Sequence, residues 1–234
     1  MHRPSVRSGR TLRPTASAQI DTKRPSATPT IVTSCNSAQY FDLTGFAQIS
    51  PDGKTVAECN RRLKTWRLDT GKVIFDKPLQ TGAAWRLAFS PDGTMIAVSL
   101  NNEDLPVGRK NLIAEVYDAA SGELIRTLIS DRKRRYDKDD FATSAYGVCF
   151  SSDGRQLATA GGDKTVRIWD VETGHQLLVF EHPNQVFTVE FSPHGRWLAS
   201  GSGHWCGPRP GEVRIWDGLY KNTKRQDADT KKRE

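Results

Sequence analysis

Four segments of this chain align on a serine and a glycine three residues later: Ile49-Ser50-Pro51-Asp52-Gly53, Phe89-Ser90-Pro91-Asp92-Gly93, Phe150-Ser151-Ser152-Asp153-Gly154 and Phe191-Ser192-Pro193-His194-Gly195. The serines lie 40, 61 and 41 residues apart. Proline presets one backbone angle of such a turn, aspartate hydrogen-bonds its own backbone, and glycine takes the left-handed position. A turn repeated at this interval, with a short apolar run after each copy (Thr55–Cys59, Met95–Leu100, Gln156–Ala160, Trp197–Ser200), marks a structural unit used four times.

A second element recurs in each unit: Thr65-Trp66-Arg67-Leu68-Asp69, Ala114-Glu115-Val116-Tyr117-Asp118, Arg167-Ile168-Trp169-Asp170 and Arg214-Ile215-Trp216-Asp217. In the first three units it leads into Thr70-Gly71, Ser121-Gly122 or Thr173-Gly174, and then into a further apolar run at Val73–Phe75, Glu123–Leu128 or Gln176–Phe180. Apolar and polar side chains alternate in stretches such as Thr165-Val166-Arg167-Ile168-Trp169, as they do in half-buried strands. Each unit therefore predicts four short antiparallel strands, a to d. A sheet this small cannot bury both of its faces, so the units must stack on one another.

These units resemble WD40 repeats, and residues 157–174 follow the family pattern almost without a gap. The resemblance covers roughly residues 40–217 and implies an all-β, WD40-type β-propeller of four four-stranded blades, at about 40–77, 83–129, 144–181 and 185–217. Propellers close with about four to eight blades, so the expectation is a small, partial or open ring, or a fragment of a larger one. The Ser-Pro-Asp-Gly style is similar to that of bacterial WD40 repeat proteins. The fourth unit passes from Trp216-Asp217 into charged residues without a strand d, and Ile31-Val32-Thr33 is the candidate to fill that edge. The resemblance also implies a structural role for Trp66, Tyr117, Thr159, Asp163, Trp169, Ser200 and Trp216. In the family a Trp, a Ser or Thr, an Asp and a His tie each blade. The third unit lacks the His, whereas His182 fits that place in the fourth, whose Asp position is occupied by an insertion.

Function is expected from the insertions. Strands b and c of the third unit are joined by Gly161-Gly162-Asp163-Lys164, a hairpin turn despite its superficial likeness to a phosphate loop. The corresponding joints are longer at Asn101–Lys110 and Gly203–Gly211, and Ile129–Thr143 lengthens the joint between the second and third units. In an up-and-down sheet the b–c and d–a connections share one rim, opposite the Pro-Asp-Gly turns. Binding residues gather on loops carried by rigid scaffolds. The expectation is a protein or peptide ligand held on this rim, with Arg132, Lys133, Arg134, Arg135, Tyr136 and Trp205 as contact candidates. Asp131, Asp137, Asp139 and Asp140 nearly neutralise the basic run, and a solvated mixed-charge loop is the competing reading.

The formal charge of +7 resides at the ends: residues 1–30 carry +5 and residues 218–234 carry +3, which leaves −1 for residues 31–217. Both ends read as disordered tails, basic at the N-terminus and charged at the C-terminus. They supply the main alternative, an accessory binder of nucleic acid or anionic surfaces, but no stacking-aromatic pattern accompanies them and nucleic acid is not the favoured partner. The cysteines Cys35, Cys59, Cys149 and Cys206 form no CxxC pair, and Cys59 and Cys149 fall in predicted strands, which suits four free thiols and a cytoplasmic location. His204 with Trp205 and Cys206 falls short of a metal site. No apolar run is long enough for a membrane-spanning helix, and no P-loop, zinc-protease, nucleophile-elbow or kinase signature occurs. A scaffold that is not an enzyme and carries no cofactor is therefore expected, with a propeller enzyme as the remote alternative. A homo-oligomer or larger complex that completes the ring would satisfy uncovered end blades.

Overall fold

In a computed structural model the described residues are 46–79, 83–101, 112–130, 144–204 and 211–217, and every regular element among them is a β-strand. The first sheet comprises β1 (Phe46–Ile49), β2 (Thr55–Cys59), β3 (Arg62–Arg67) and β4 (Val73–Pro78). The second comprises β5 (Ala83–Phe89), β6 (Met95–Asn101), β7 (Leu112–Asp118) and β8 (Leu124–Ile129). The third holds β9 (Ala145–Phe150), β10 (Gln156–Gly161), β11 (Thr165–Asp170) and β12 (Gln176–Glu181), and the fourth holds β13 (Gln185–Phe191), β14 (Trp197–Gly203) and β15 (Glu212–Asp217). Each sheet is a meander in chain order with antiparallel neighbours. Ile31-Val32-Thr33, the strand candidate for the open edge beside β15, lies outside the described residues.

The repeated turn has the geometry its residue types require. Ser50 Oγ donates to Asp52 Oδ1 at 2.6 Å and accepts from the Thr55 amide at 2.9 Å, while the Lys54 amide donates to Asp52 at 3.0 Å. The same bonds recur around Ser90 and Ser151. His194 replaces the aspartate in the fourth copy, where the Trp197 amide still donates to Ser192 Oγ at 3.0 Å. Gly53, Gly93, Gly154 and Gly195 have φ between 68° and 75°, the left-handed region that only glycine enters freely. At the other turn, Gly122 has φ 67° and a Cβ there would lie 2.6 Å from the Phe75 ring, so it also marks a close approach of the first two sheets.

Side chains alternate between the two faces of each sheet, and both faces of the middle sheets are buried. Ala57, Cys59, Leu63 and Phe75 meet Leu87, Phe89, Ile96, Val98 and Tyr117 of the second sheet. Ala97, Ala114 and Val116 face Val148, Phe150, Leu157 and Trp169, and Ala158, Ala160, Val166 and Ile168 face Val189, Phe191 and Leu198. Burial of one such aliphatic side chain contributes roughly 1.5–3 kcal/mol, so the sheets hold one another together. The inner strands β1, β5, β9 and β13 make successive contacts, first sheet to second, second to third, third to fourth. Among the described residues no comparable packing joins the fourth sheet back to the first, and the array is open.

Leu157 is fully buried between two sheets, whereas Leu177 on outer strand β12 is 40% exposed. Leu157→Ala is expected to lower the unfolding free energy by about 2–5 kcal/mol. Leu177→Ala should change it by only about 0.5 kcal/mol, as read by chemical denaturation.

Candidate partner-binding rim

The aromatic residue near the end of each third strand anchors its sheet, a register shift stands just before it in the first three sheets, and Tyr117 and Trp169 pack against the preceding sheet. Trp169 Nε1 donates to Thr159 Oγ1 at 2.9 Å, and Trp216 Nε1 donates to Ser200 Oγ at 3.0 Å. His182 Nε2 lies 3.0 Å from the same Ser200 Oγ, so the fourth sheet holds the three-membered set its sequence contains. Trp216 also stacks on Phe180 of the third sheet, with centroids 4.3 Å apart. Where the third sheet has no histidine, Asp163 instead pairs with Arg167 at 2.7 Å and accepts from Thr165 Oγ1 at 2.7 Å.

The other two sheets depart from the pattern for a visible reason. At the position of Thr159 and Ser200 stand Val98 in the second sheet and Glu58 in the first. Tyr117 therefore donates its hydroxyl to the buried Glu115. Trp66 is buried, and its Nε1 has no hydrogen-bond partner among the described residues. An unsatisfied buried donor costs about 1–3 kcal/mol, a penalty that the Trp169 and Trp216 indoles avoid.

The inner strands carry a second aromatic set. Trp85, Tyr146 and Phe187 each stand four residues before Phe89, Phe150 and Phe191. Each is skipped by the pairing register, between Ala84 and Arg86, between Ala145 and Gly147, and between Val186 and Thr188. A residue expelled from the ladder in this way is re-aimed out of the strict alternation. The three rings form a row across the second, third and fourth sheets: Trp85 meets Tyr146 edge-on at 5.7 Å, and Tyr146 stacks on Phe187 at 5.3 Å. Gly147 permits the approach, since a Cβ there would lie 3.2 Å from the Phe187 carbonyl oxygen. Trp85 and Phe187 are half-buried, so the row keeps apolar surface at the entry ends of the inner strands. Alternation alone hides this set, but aligning the units on Phe89, Phe150 and Phe191 reveals it.

These entry ends lie on the rim opposite the Pro-Asp-Gly turns. The same rim carries the strand ends that flank residues 102–111, 131–143 and 205–210. Arg132, Lys133, Arg134, Arg135, Tyr136 and Trp205 themselves lie outside the described residues. His204 is described and exposed.

On the opposite rim, a cleft of about 650 Å³ between the first two sheets is lined by Asp52, Arg67, Lys72, Asp92 and Asp118. Its carboxylates serve the turns. Hydrogen bonds from Ser50 and the Lys54 amide hold Asp52 below its ordinary carboxylate value, those from Ser90 and Thr94 do so for Asp92, and those from Ser121 do so for Asp118. Arg67 is engaged by Asp69, whose own carboxyl is drawn down to about 2. These carboxylates stay ionised, but their lone pairs are engaged in holding the turns. Among the described residues no group of three or more His, Cys, Asp or Glu could hold a metal ion. Cys59 and Cys149 are free, and burial pushes both thiols up to about 12, which removes the thiolate needed for nucleophilic chemistry.

Comparison with known proteins places the third and fourth sheets in a family. The family model described as WD domain, G-beta repeat matches residues 141–170 and 174–217. Each match ends at the Trp-Asp pair of a third strand, and the second begins beside β12, so the sequence repeat is offset by one strand from the sheet it helps to build. The chain is 26% identical over 169 residues to U3 small nucleolar RNA-associated protein 12 of Saccharomyces cerevisiae, covering 64% of this chain and 16% of that protein. It is 30% identical over 141 residues to Topless-related protein 4 of Arabidopsis thaliana, covering 58% of this chain and 11% of that protein. The chain thus spans less than a fifth of the length of these curated relatives.

Two outcomes follow from the buried polar ties. Thr159→Val strands the Trp169 indole donor and is expected to cost about 1–3 kcal/mol, whereas Trp66→Phe removes a donor that is already unsatisfied and should cost less in the same denaturation assay. Burial first, and then the Arg214 charge, hold His182 below its ordinary value of 6.5. The unfolded chain therefore binds this proton more readily, and the stability due to the neutral ring is present above 6.5 and lost as pH falls below it. The melting temperature should drop between about pH 7.5 and pH 5.5, and less so in His182→Gln; an equal drop in both chains removes His182 from the account.

Proposed function

The chain carries WD40 repeats, and from that premise we propose that it acts as a non-catalytic protein-interaction scaffold whose insertion-bearing rim receives a partner protein or peptide. WD40 repeat proteins generally serve as protein-interaction scaffolds within complexes, which supports the coarser part of this reading. The observation that carries the finer statement is the coincidence on one rim of the bulged aromatic row Trp85–Tyr146–Phe187 and the flanks of all three insertions. Half-buried aromatic surface held on rigid strands supplies contact area at small entropic cost, the property of interface anchors. Trp205 is assigned as a further anchor, and Arg132, Lys133, Arg134, Arg135 and Tyr136 as the charged part of the contact, which suits a ligand with acidic groups.

The tail charge supports a second reading, an accessory binder of nucleic acid or anionic surfaces, and one relative is by name associated with a small nucleolar RNA. That reading requires binding to fall steeply with salt and to vanish without residues 1–30 and 218–234.

Affinity capture from the source cells, followed by calorimetry with the recovered partner, separates the possibilities. Phe187→Ser combined with Trp205→Ala is expected to weaken binding by about 2 kcal/mol or more, roughly 30-fold in Kd, with the fold intact by circular dichroism. Arg155→Glu with His194→Glu, on the turn rim, should leave it unchanged. Binding lost from the second pair but kept in the first contradicts the assignment of the rim.

A further inference from the structure

The interfaces between the second and third sheets and between the third and fourth are built alike, whereas the first sheet carries Leu63 and Thr65 at its outgoing positions. In those two interfaces the outgoing face of one sheet presents two aliphatic positions on its third strand, and the incoming face of the next presents one residue before the turn serine and one at the start of its second strand. Val166 and Ile168 fill the outgoing positions of the third sheet and are fully buried against Phe191 and Leu198. Ala114 and Val116 fill them in the second sheet, also at 0% exposure, against Phe150 and Leu157.

The two ends of the array carry the same positions without that cover. On the fourth sheet the outgoing residues are Val213 and Ile215, which are 74% and 67% exposed. Trp197, at the position of the core-contacting Met95, lies beside them at 37%. On the first sheet the incoming positions belong to Ile49, which is 56% exposed, and to half-buried Val56. The internal counterparts of Ile49 are Phe89, Phe150 and Phe191, each only 8% exposed. Trp66, the third incoming position, is already buried and has no strand d opposite it among the described residues of the fourth sheet, so the complementary surface is the inner part of the face.

We propose that two copies of this chain pack head to tail, the Val213–Ile215 face of each against the Ile49–Val56 face of the other, and close a ring of eight blades. The occupant of each end face is a second copy because that face is complementary to the opposite end of the same chain, by the chemistry that already joins its internal sheets. A head-to-tail contact produces a closed ring when its rotation closes and a filament when it does not. Two arcs of four make eight, the upper end of the usual propeller range, and closure removes both exposed apolar faces at once.

The test is the solution mass of the 234-residue chain by light scattering and sedimentation. The wild-type chain should have twice its 26.1 kDa mass. Ile215→Asp and Ile49→Asp should each run as monomers with an unchanged far-ultraviolet spectrum, since both side chains are exposed in the single chain. Mixed together, the two variants should recover a two-chain species through the one interface left intact. A wild-type chain that stays at 26.1 kDa, or whose mass grows without limit with concentration, overturns the proposal. So does a dimer that Ile215→Asp abolishes and Ile49→Asp leaves intact, because that pattern means tail-to-tail contact.

Discussion

No sheet in this protein covers its own apolar faces, and the rest of the architecture follows from that. A four-stranded unit has an inner strand, an outer strand and two sides, and both sides of the second and third sheets are apolar. Ala97, Ala114 and Val116 face one way and Tyr117 and Val98 the other, all at or near zero exposure. The energy that holds a unit is therefore shared with its neighbours, as in repeat proteins where each module contacts only the next. Function inherits the same geometry. Stacking aligns the entry ends of the inner strands, and only that alignment makes one row of Trp85, Tyr146 and Phe187, residues about 40 to 60 positions apart in the chain.

Polar groups adjust this scheme sheet by sheet. The indoles of Trp169 and Trp216 find hydroxyls, Tyr117 finds a carboxylate, and Trp66 finds no partner among the described residues. The differences trace to one position, where threonine, serine, valine and glutamate occur in the four units. Apolar burial keeps the aromatic in place in every case, and hydrogen bonding decides how well each sheet is satisfied.

Much of the fold was legible in the sequence. Proline, aspartate and glycine at fixed offsets impose a turn whatever surrounds them, which is why β2 was expected at Thr55–Cys59 and is found there. The extents of later strands were less legible: β14 runs to Gly203 rather than stopping at Ser200, because its glycines pair across the sheet without the apolar signal that marks a strand. Thr159, Ser200 and His182 were recognisable as ties because they match a family pattern. The bulged aromatics were not, since a residue expelled from the ladder breaks the alternation by which strands are read. The basic run 132–135 and Trp205 carry no turn signature and no alternation, and they lie outside the described residues.

The dependence of each sheet on its neighbour is the central claim, and native-state hydrogen exchange on a chain ending at residue 181 tests it most directly. Removing the fourth sheet uncovers Ala158, Ala160, Val166 and Ile168 while leaving β6 and β7 enclosed as before. The account predicts that amides of β10 and β11 exchange about 100-fold faster than in the full chain, with those of β6 and β7 nearly unchanged. Unaltered protection in β10 and β11 would contradict it, because the third sheet would then be stable without the face it is described as needing.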